Sequence, residues 1–357
     1  MKCVGGVAVL IISLIGCGDD GTASTQDAGS DANPLGGDAP AIEQSCPGSK
    51  RFDLVGATPA AAASDGTTLY IAQTTTTGQG QLVSVPLSGG APTVVALAAS
   101  GTFALAANGD AVFYASNQAN GSEVHQRVGS IDTVLATLTL EGDFAIAANA
   151  TDVYIVDTTK VVSVSRSGAA TQTPTSIADS TGSPRELIAG ATTVSWIQGG
   201  GFVGTSTLVP IAALGQAVTL GSGAIHVGGD TAYQYLVQME TSRAHQDSLA
   251  TIYPAAAQVW TGQAYLSSNT FVAADADHIY FLASISTMSP MNTYTTSHSI
   301  SAWSLDDAHH PTVQTQLCNY DPFAMMEQQT GTLMYARQDA HFLYAFDASS
   351  VLAISKP

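Results

Sequence analysis

Positive charge is scarce in this chain. Its 357 residues hold ten Lys and Arg against 28 Asp and Glu, a formal net charge of -18. Such a surface excludes nucleic acid as a partner, because phosphate binding needs clustered cations. It would also be repelled by an anionic membrane face, so membrane contact needs another device. Cysteine is scarce too, with four residues at positions 3, 17, 46 and 318, which excludes a disulfide-dense scaffold. No apolar run is long enough to span a bilayer as a helix. No segment of eleven or more residues carries convincing helical periodicity, which excludes a helical fold. Neither H-E-x-x-H, nor G-x-S-x-G, nor a phosphate-cradling glycine loop occurs in the text, so those enzyme classes have no motif to stand on. What remains is rich in Gly, Ala, Ser and Thr, a profile of exported β proteins with short turns.

The first seventeen residues read as an address. Lys2 is a minimal positive region, Val7 to Ile15 is a short apolar one, and Leu14-Ile15-Gly16-Cys17 closes it. This segment resembles the signal peptide and lipobox of bacterial lipoproteins. The resemblance implies that residues 1–16 are removed and that Cys17 receives a diacylglyceryl group, the palmitate-type anchor that no other feature supplies. Three acyl chains at about 0.8 kcal/mol per buried CH₂ would hold the protein stably. Cys3 falls in the part removed. Residues 17–45 continue without an aromatic or basic residue but with Asp19, Asp20, Asp27, Asp31, Asp38 and Glu43. This acidic stretch has almost nothing to bury and reads as a disordered tether, holding a domain a few tens of ångströms, roughly, from the bilayer. Gly18 after the cysteine carries no inner-membrane retention signal by the same resemblance. The expected location is therefore the cell envelope, outer membrane rather than inner, with the domain in the periplasm or on the surface.

From residue 46 to 357 one unit recurs: small or apolar residues, a turn residue, then an apolar strand centred on an aromatic. Its aromatic anchors are Tyr70, Tyr114, Tyr154, Trp196, Tyr235, Tyr280 and Tyr335, spaced by 44, 40, 42, 39, 45 and 55 residues. That period suits four-stranded blades rather than helical repeats. Five residues before an anchor stand Asp65, Gly109, Asn149, Asp230 and Asp275, types that close a two-strand turn. Seven before it stand Ala63, Ala107, Ala147, Ala189, Gly228 and Ala273, small enough for crowded inner strands. A second hairpin follows several anchors, LVSVPLSGGAPTVV at 82 and VVSVSRSGAATQTP at 161. Two hairpins give four strands per unit.

An apolar-Tyr strand followed by V-x-V-P-L-S-G-G resembles the YWTD, NHL and TolB-like β-propeller group. The resemblance covers most of 57–357 and implies an all-β propeller of four-stranded blades. Seven blades are preferred and six are the alternative, because the hairpin around 242–262 is poorly formed. The Trp-Thr-Asp of true YWTD repeats is missing. Closure of such a ring needs an outer strand for the last blade, and Arg51–Val55 is positioned to supply it. Cys46 and Cys318 are the two cysteines left to the mature domain. They read either as a disulfide at the ring closure, worth about 2–5 kcal/mol, or as two free thiols.

Candidate chemistry is thin. Asp306, Asp307, His309 and His310 are zinc or copper ligand types by identity, but they sit in a hairpin turn, and no metal is expected there. Ser284–Ser299 and Leu317–Phe323 interrupt the period and add Met288, Met291, Tyr294 and Tyr320, a composition used in binding loops or in packing plugs. No cofactor is expected beyond the lipid on Cys17, and no catalytic residue stands out. The preferred expectation is a non-enzymatic platform binding a protein, peptide or glycan. A propeller lyase or lactonase with its site at a channel mouth, and a structural envelope lipoprotein, are the alternatives.

Overall fold

The computed structural model describes residues 48–98, 103–116, 121–168, 172–199, 204–211, 217–229, 234–240, 247–253, 257–262, 271–288, 294–307, 311–318, 336–346 and 350–357. All of them fall in one compact unit, Asp38–Pro357. Among the described residues every element longer than a single turn is a strand, and the pairing is antiparallel throughout.

β1 (Lys50–Asp53) precedes the first sheet of β2 (Ala57–Ser64), β3 (Thr68–Thr75), β4 (Gly80–Pro86) and β5 (Thr93–Ala98). The second sheet is β6 (Phe103–Asn108), β7 (Ala111–Ser116), β8 (Ser122–Val128) and β9 (Ile131–Leu138). The third is β10 (Ala145–Ala148), β11 (Asp152–Val156), β12 (Lys160–Ser165) and β13 (Thr175–Asp179). A seven-stranded sheet follows: β14 (Pro184–Ala189), β15 (Thr193–Gln198), β16 (Gly204–Pro210), β17 (Val218–Gly229), β18 (Gln234–Glu240), β19 (Asp247–Tyr253) and β20 (Ala257–Gly262). Then come β21 (Phe271–Ala274), β22 (His278–Met288), β23 (Tyr294–Leu305) and β24 (Pro311–Cys318). The closing sheet holds β25 (Ala336–Gln338), β26 (Phe342–Phe346) and β27 (Ser350–Ser355), with β1 from the start of the domain as its outer strand. β1 pairs with β27 from Lys50 opposite Ala353 to Asp53 opposite Ser350. The sheets neighbour one another in a ring: β2 lies against β6, β6 against β10, β10 against β14, β17 against β21, β21 against β25, and β25 against β2.

The core lies between sheets rather than within any of them. Successive residues of a strand point to opposite faces, so a middle strand is buried on both sides. In β7, Val112 and Tyr114 pack toward the first sheet with Tyr70 and Leu82. Ala111, Phe113 and Ala115 pack toward the third with Ile146, Val153 and Ile155. The described anchors Tyr70, Tyr114, Tyr154, Trp196 and Tyr280 are all buried at the middle of such strands. Tyr235 lies on β18, opposite Gly228. The small residues seven positions earlier face the aromatic across the ladder in four units: Ala63 to Tyr70, Ala147 to Tyr154, Gly228 to Tyr235 and Ala273 to Tyr280. In the second unit a tighter turn, with Asn108 opposite Ala111, shifts the register; in the fourth a turn of the usual length lies one residue further from the anchor, and Leu105 and Leu187 take that place.

One expectation is corrected. Seven separate four-stranded blades do not form; among the described residues five sheets are separate and four-stranded, and one sheet has seven strands. The cause is β17, twelve residues without a turn. Its first part pairs with β16, from Val218 opposite Leu208 to Ala224 opposite Gly204, and its last part pairs with β18 up to Gly229. Register shifts opposite Gly204/Thr205 and Ser206/Thr207 give it the bends that bulges impart. Tyr335, the expected final anchor, lies outside the described residues. The closing sheet has a fully buried tyrosine of the same kind, Tyr344 on β26, with Asp339 five residues ahead of it.

Candidate functional site

Antiparallel order gives the ring two different faces. The turns from first to second strand gather on one face with those from third to fourth. The second-to-third hairpins and the connections to the next sheet gather on the other.

The first face is built from one recurring device. Asp65 Oδ1 accepts from the amides of Thr67 and Thr68 at 2.9 and 2.8 Å, and Oδ2 accepts from Tyr70 Oη at 3.3 Å. Asn149 Oδ1 accepts from the amides of Thr151 and Asp152, while its Nδ2 donates to Tyr154 Oη and, at 3.0 Å, to Gly190 O of the next sheet. Asp275 accepts from the amides of Asp277 and His278 and, at 2.7 Å, from Tyr280 Oη. Asp339 accepts from the amides of His341 and Phe342, from Tyr344 Oη, and at 2.7 Å from the amide of Ser64 in the first sheet. Each is an Asx turn whose free oxygen or nitrogen reaches the buried anchor or the neighbouring sheet. Asn108 joins in differently: it accepts from Arg166 Nη1 at 2.8 Å, and the same guanidinium donates to Asn149 O and lies 4.8 Å above the Phe113 ring.

Electrostatics follow from the geometry. Burial alone would raise Asp65 and Asp275, but the amide and hydroxyl donors, and for Asp275 the Lys356 ammonium, leave both below the ordinary aspartate value. Burial and then the adjacent carboxylates push the phenols of Tyr114, Tyr280 and Tyr344 far up, so they stay protonated and donate. A denser polar group lies on the second sheet. His125 stacks 4.5 Å from Tyr114, with Nδ1 2.9 Å from Asp132 and Nε2 3.3 Å from Glu123. Tyr114 donates to the same Asp132, and Arg127 Nη1 lies 3.4 Å from it. Sequence reading missed this group, because its members are spread over three strands without a motif. It also missed Asp339 and Tyr344, although D-A-D-H-I-Y at 275 and D-A-H-F-L-Y at 339 carry the signal.

The far end of the β22–β23 hairpin lies on the opposite face. Ser284–Ser299 is not the irregular loop expected: β22 and β23 pair without interruption from His278 opposite Ser304 to Met288 opposite Tyr294. β21 begins opposite Leu282 and β24 ends opposite Ile300. Six residue pairs, from Ala283–Ser299 to Met288–Tyr294, therefore extend past the ladders of the sheet, roughly 20 Å at 3.4 Å per residue. Met288 and Tyr294 form the last pair; Met291 and Tyr320 lie outside the described residues. Asp306 and Asp307 are exposed after β23, and His309 and His310 lie outside the described residues. Among the described residues no three His, Cys, Asp or Glu side chains are grouped to hold a metal. Cys17 and Cys46 lie outside the described residues. Cys318 ends β24 on the face of the protruding ribbon, whereas the chain enters β1 from the other face, with Gly48 O accepting from Ser355 Oγ.

No family model and no curated protein matches this sequence. Solved structures do. The β-propeller domain of the trilobed protease from Pyrococcus furiosus, described as having an open velcro topology, matches with a TM-score of 0.51 and 10% identity, over 84% of this chain and 98% of that one. The fold is a β-propeller. The WD40 domain of Pan2 from Neurospora crassa matches this propeller with a TM-score of 0.49 and 10% identity, over 84% and 90% of the two chains. BamB from Moraxella catarrhalis matches at 0.43 and 11%, over 86% and 98%.

Proposed function

We propose that this chain is a lipid-anchored propeller of the bacterial cell envelope, and that it binds a protein, peptide or glycan partner on the face opposite the Asx turns. The observation that carries this reading is the β22–β23 ribbon. The Asx face is occupied with holding the sheets together, through Asn149 to Gly190, Asp339 to Ser64 and Arg166 to Asn108. The opposite face sends six residue pairs of one hairpin beyond its sheet, with Met288 and Tyr294 at the outermost pair. A ribbon of that reach contributes little to the core of its own sheet and presents contact area at low entropic cost. Anchoring is a separate part of the reading and rests on Leu14-Ile15-Gly16-Cys17 and the acidic residues after it.

Both parts are open to direct test. A photo-crosslinking residue at position 294 should trap a discrete partner in intact cells, while the same residue at position 94, exposed on outer strand β5, should not. Equal trapping at both positions, or none at 294, would overturn the binding face. Cys17→Ser should abolish fatty-acid labelling; unchanged labelling would remove the anchor.

A further inference from the structure

Glu123, His125 and Arg127 lie on one face of β8, because alternate residues of a strand share a face. Tyr114 on β7 stands opposite His125, and Asp132 on β9 stands opposite Arg127. The imidazole is held firmly in this setting. Its ring stacks 4.5 Å from that of Tyr114 at an interplanar angle of 8°, and Asp132 Oδ1 lies 2.9 Å from Nδ1. A carboxylate only accepts, so Nδ1 is the nitrogen that carries hydrogen. Asp132 is fixed in turn through its other oxygen, which accepts from Tyr114 Oη and from Arg127 Nη1 at 3.4 Å. The consequence falls on Nε2. In a neutral ring it offers only a lone pair, yet the atom facing it 3.3 Å away is Glu123 Oε2, which also only accepts. Two acceptors at that distance need a cation between them.

We propose that His125 Nε2 and Glu123 Oε2 bind a divalent metal ion of the zinc class, with Asp132 orienting the imidazole from its other nitrogen. The spacing suits the ion. Zinc bonds of about 2.0–2.1 Å to nitrogen and about 2.0–2.2 Å to a carboxylate oxygen, set at the tetrahedral angle, place two donors about 3.4 Å apart. A carboxylate on the far nitrogen is what commonly fixes the tautomer and ring orientation of a ligating imidazole. The local charge suits it too, since two carboxylates and one guanidinium leave a single negative charge facing the site. Glu123 is half-exposed, so water can reach the remaining coordination positions. Among the described residues no cage of three or more His, Cys, Asp or Glu forms, and the ion held by two protein donors is exchangeable rather than structural.

Calorimetric titration of zinc ions into the full chain tests this, with the cysteines alkylated and His309→Ala and His310→Ala in place to remove the other clustered donors. One equivalent should bind. His125→Phe keeps a ring to stack on Tyr114 but supplies no nitrogen, and Glu123→Gln keeps the side-chain shape without its charge. Each should weaken binding by about tenfold or more. X-ray absorption at the zinc edge supplies a check that needs neither of these two variants. The loaded chain should show nitrogen and oxygen neighbours at about 2.0–2.2 Å, with a single imidazole among them. Absence of binding would leave a proton as the cation between the two acceptors and overturn the proposal. So would binding that either substitution leaves unchanged, or a spectrum with two or more imidazoles.

Discussion

An aspartate or asparagine five residues ahead of a buried aromatic does two things at once. One side-chain atom closes the turn by accepting two backbone amides, and the other reaches the phenol or the next sheet. At Asn149 the amide nitrogen donates to both Tyr154 Oη and Gly190 O, and the oxygen accepts from the Thr151 and Asp152 amides. The residue is 5% exposed, so groups left unpaired there would not be satisfied by water. Truncation strands buried donors and an acceptor at about 1–3 kcal/mol each. Asn149→Ala should thus lower stability by about 3 kcal/mol in urea unfolding. Asn149→Asp keeps the turn but loses both donations, and should cost about half as much. A loss below about 0.5 kcal/mol for the alanine variant would show that the turn does not need its side chain. Most of this pattern is legible in sequence: Asp65, Asn149 and Asp275 stand at the right spacing from Tyr70, Tyr154 and Tyr280. Asp339 and Tyr344 carry the same spacing, but the apolar-aromatic run TGTLMY ahead of them drew the last anchor to Tyr335.

Alternation and turn residues mark strands well, but they do not mark where one sheet ends. β17 shows the difficulty. VTLGSGAIHVGG has the glycines of a turn, yet an extended chain accepts glycine as readily, and the strand runs on and serves two partners in succession. The β22–β23 hairpin shows the converse, since Ser, Thr and Met in 284–299 look irregular in a one-dimensional reading. Pairing decided the outcome, because a hairpin whose first strand is in register continues as long as its residues tolerate an extended backbone. Ala283 faces Ser299 across that ladder, so residues 284–298 can be replaced by Asn-Gly, the two-residue turn suited to a hairpin. The shortened chain should keep its thermal midpoint within about 3 °C, a change of about 1 kcal/mol or less for a domain of this size, and should lose crosslinking to the partner. A collapse of the midpoint would mean that the ribbon belongs to the core.

The molecule as a whole is closed by strands from its two ends. β27 is buried at every position but its last, and its outer edge is covered by β1, three of whose four residues are exposed. The arrangement is asymmetric: β27 needs β1 more than β1 needs β27. What fastens β1 is modest. Four register pairs join it to β27, Phe52 packs on the cluster between the closing and first sheets, Lys50 Nζ donates to Leu87 O, and Ser355 Oγ reaches Gly48 O. At about 0.5–1 kcal/mol per ladder bond and about 25 cal/mol per Å² for the partly buried Phe52, its removal should cost about 3 kcal/mol. The larger effect lies elsewhere. A bare edge of an apolar strand recruits another strand, and the nearest one in solution is the same edge of a second copy. A chain beginning at Leu54 should therefore associate with rising concentration in light scattering, where the chain beginning at Gly48 stays monomeric. A synthetic peptide spanning 48–55 should return it to the monomer by occupying the β27 edge. If the shortened chain stays monomeric and equally stable, β1 is an ornament of the closing sheet, and the ring is held by the junctions on its Asx face alone.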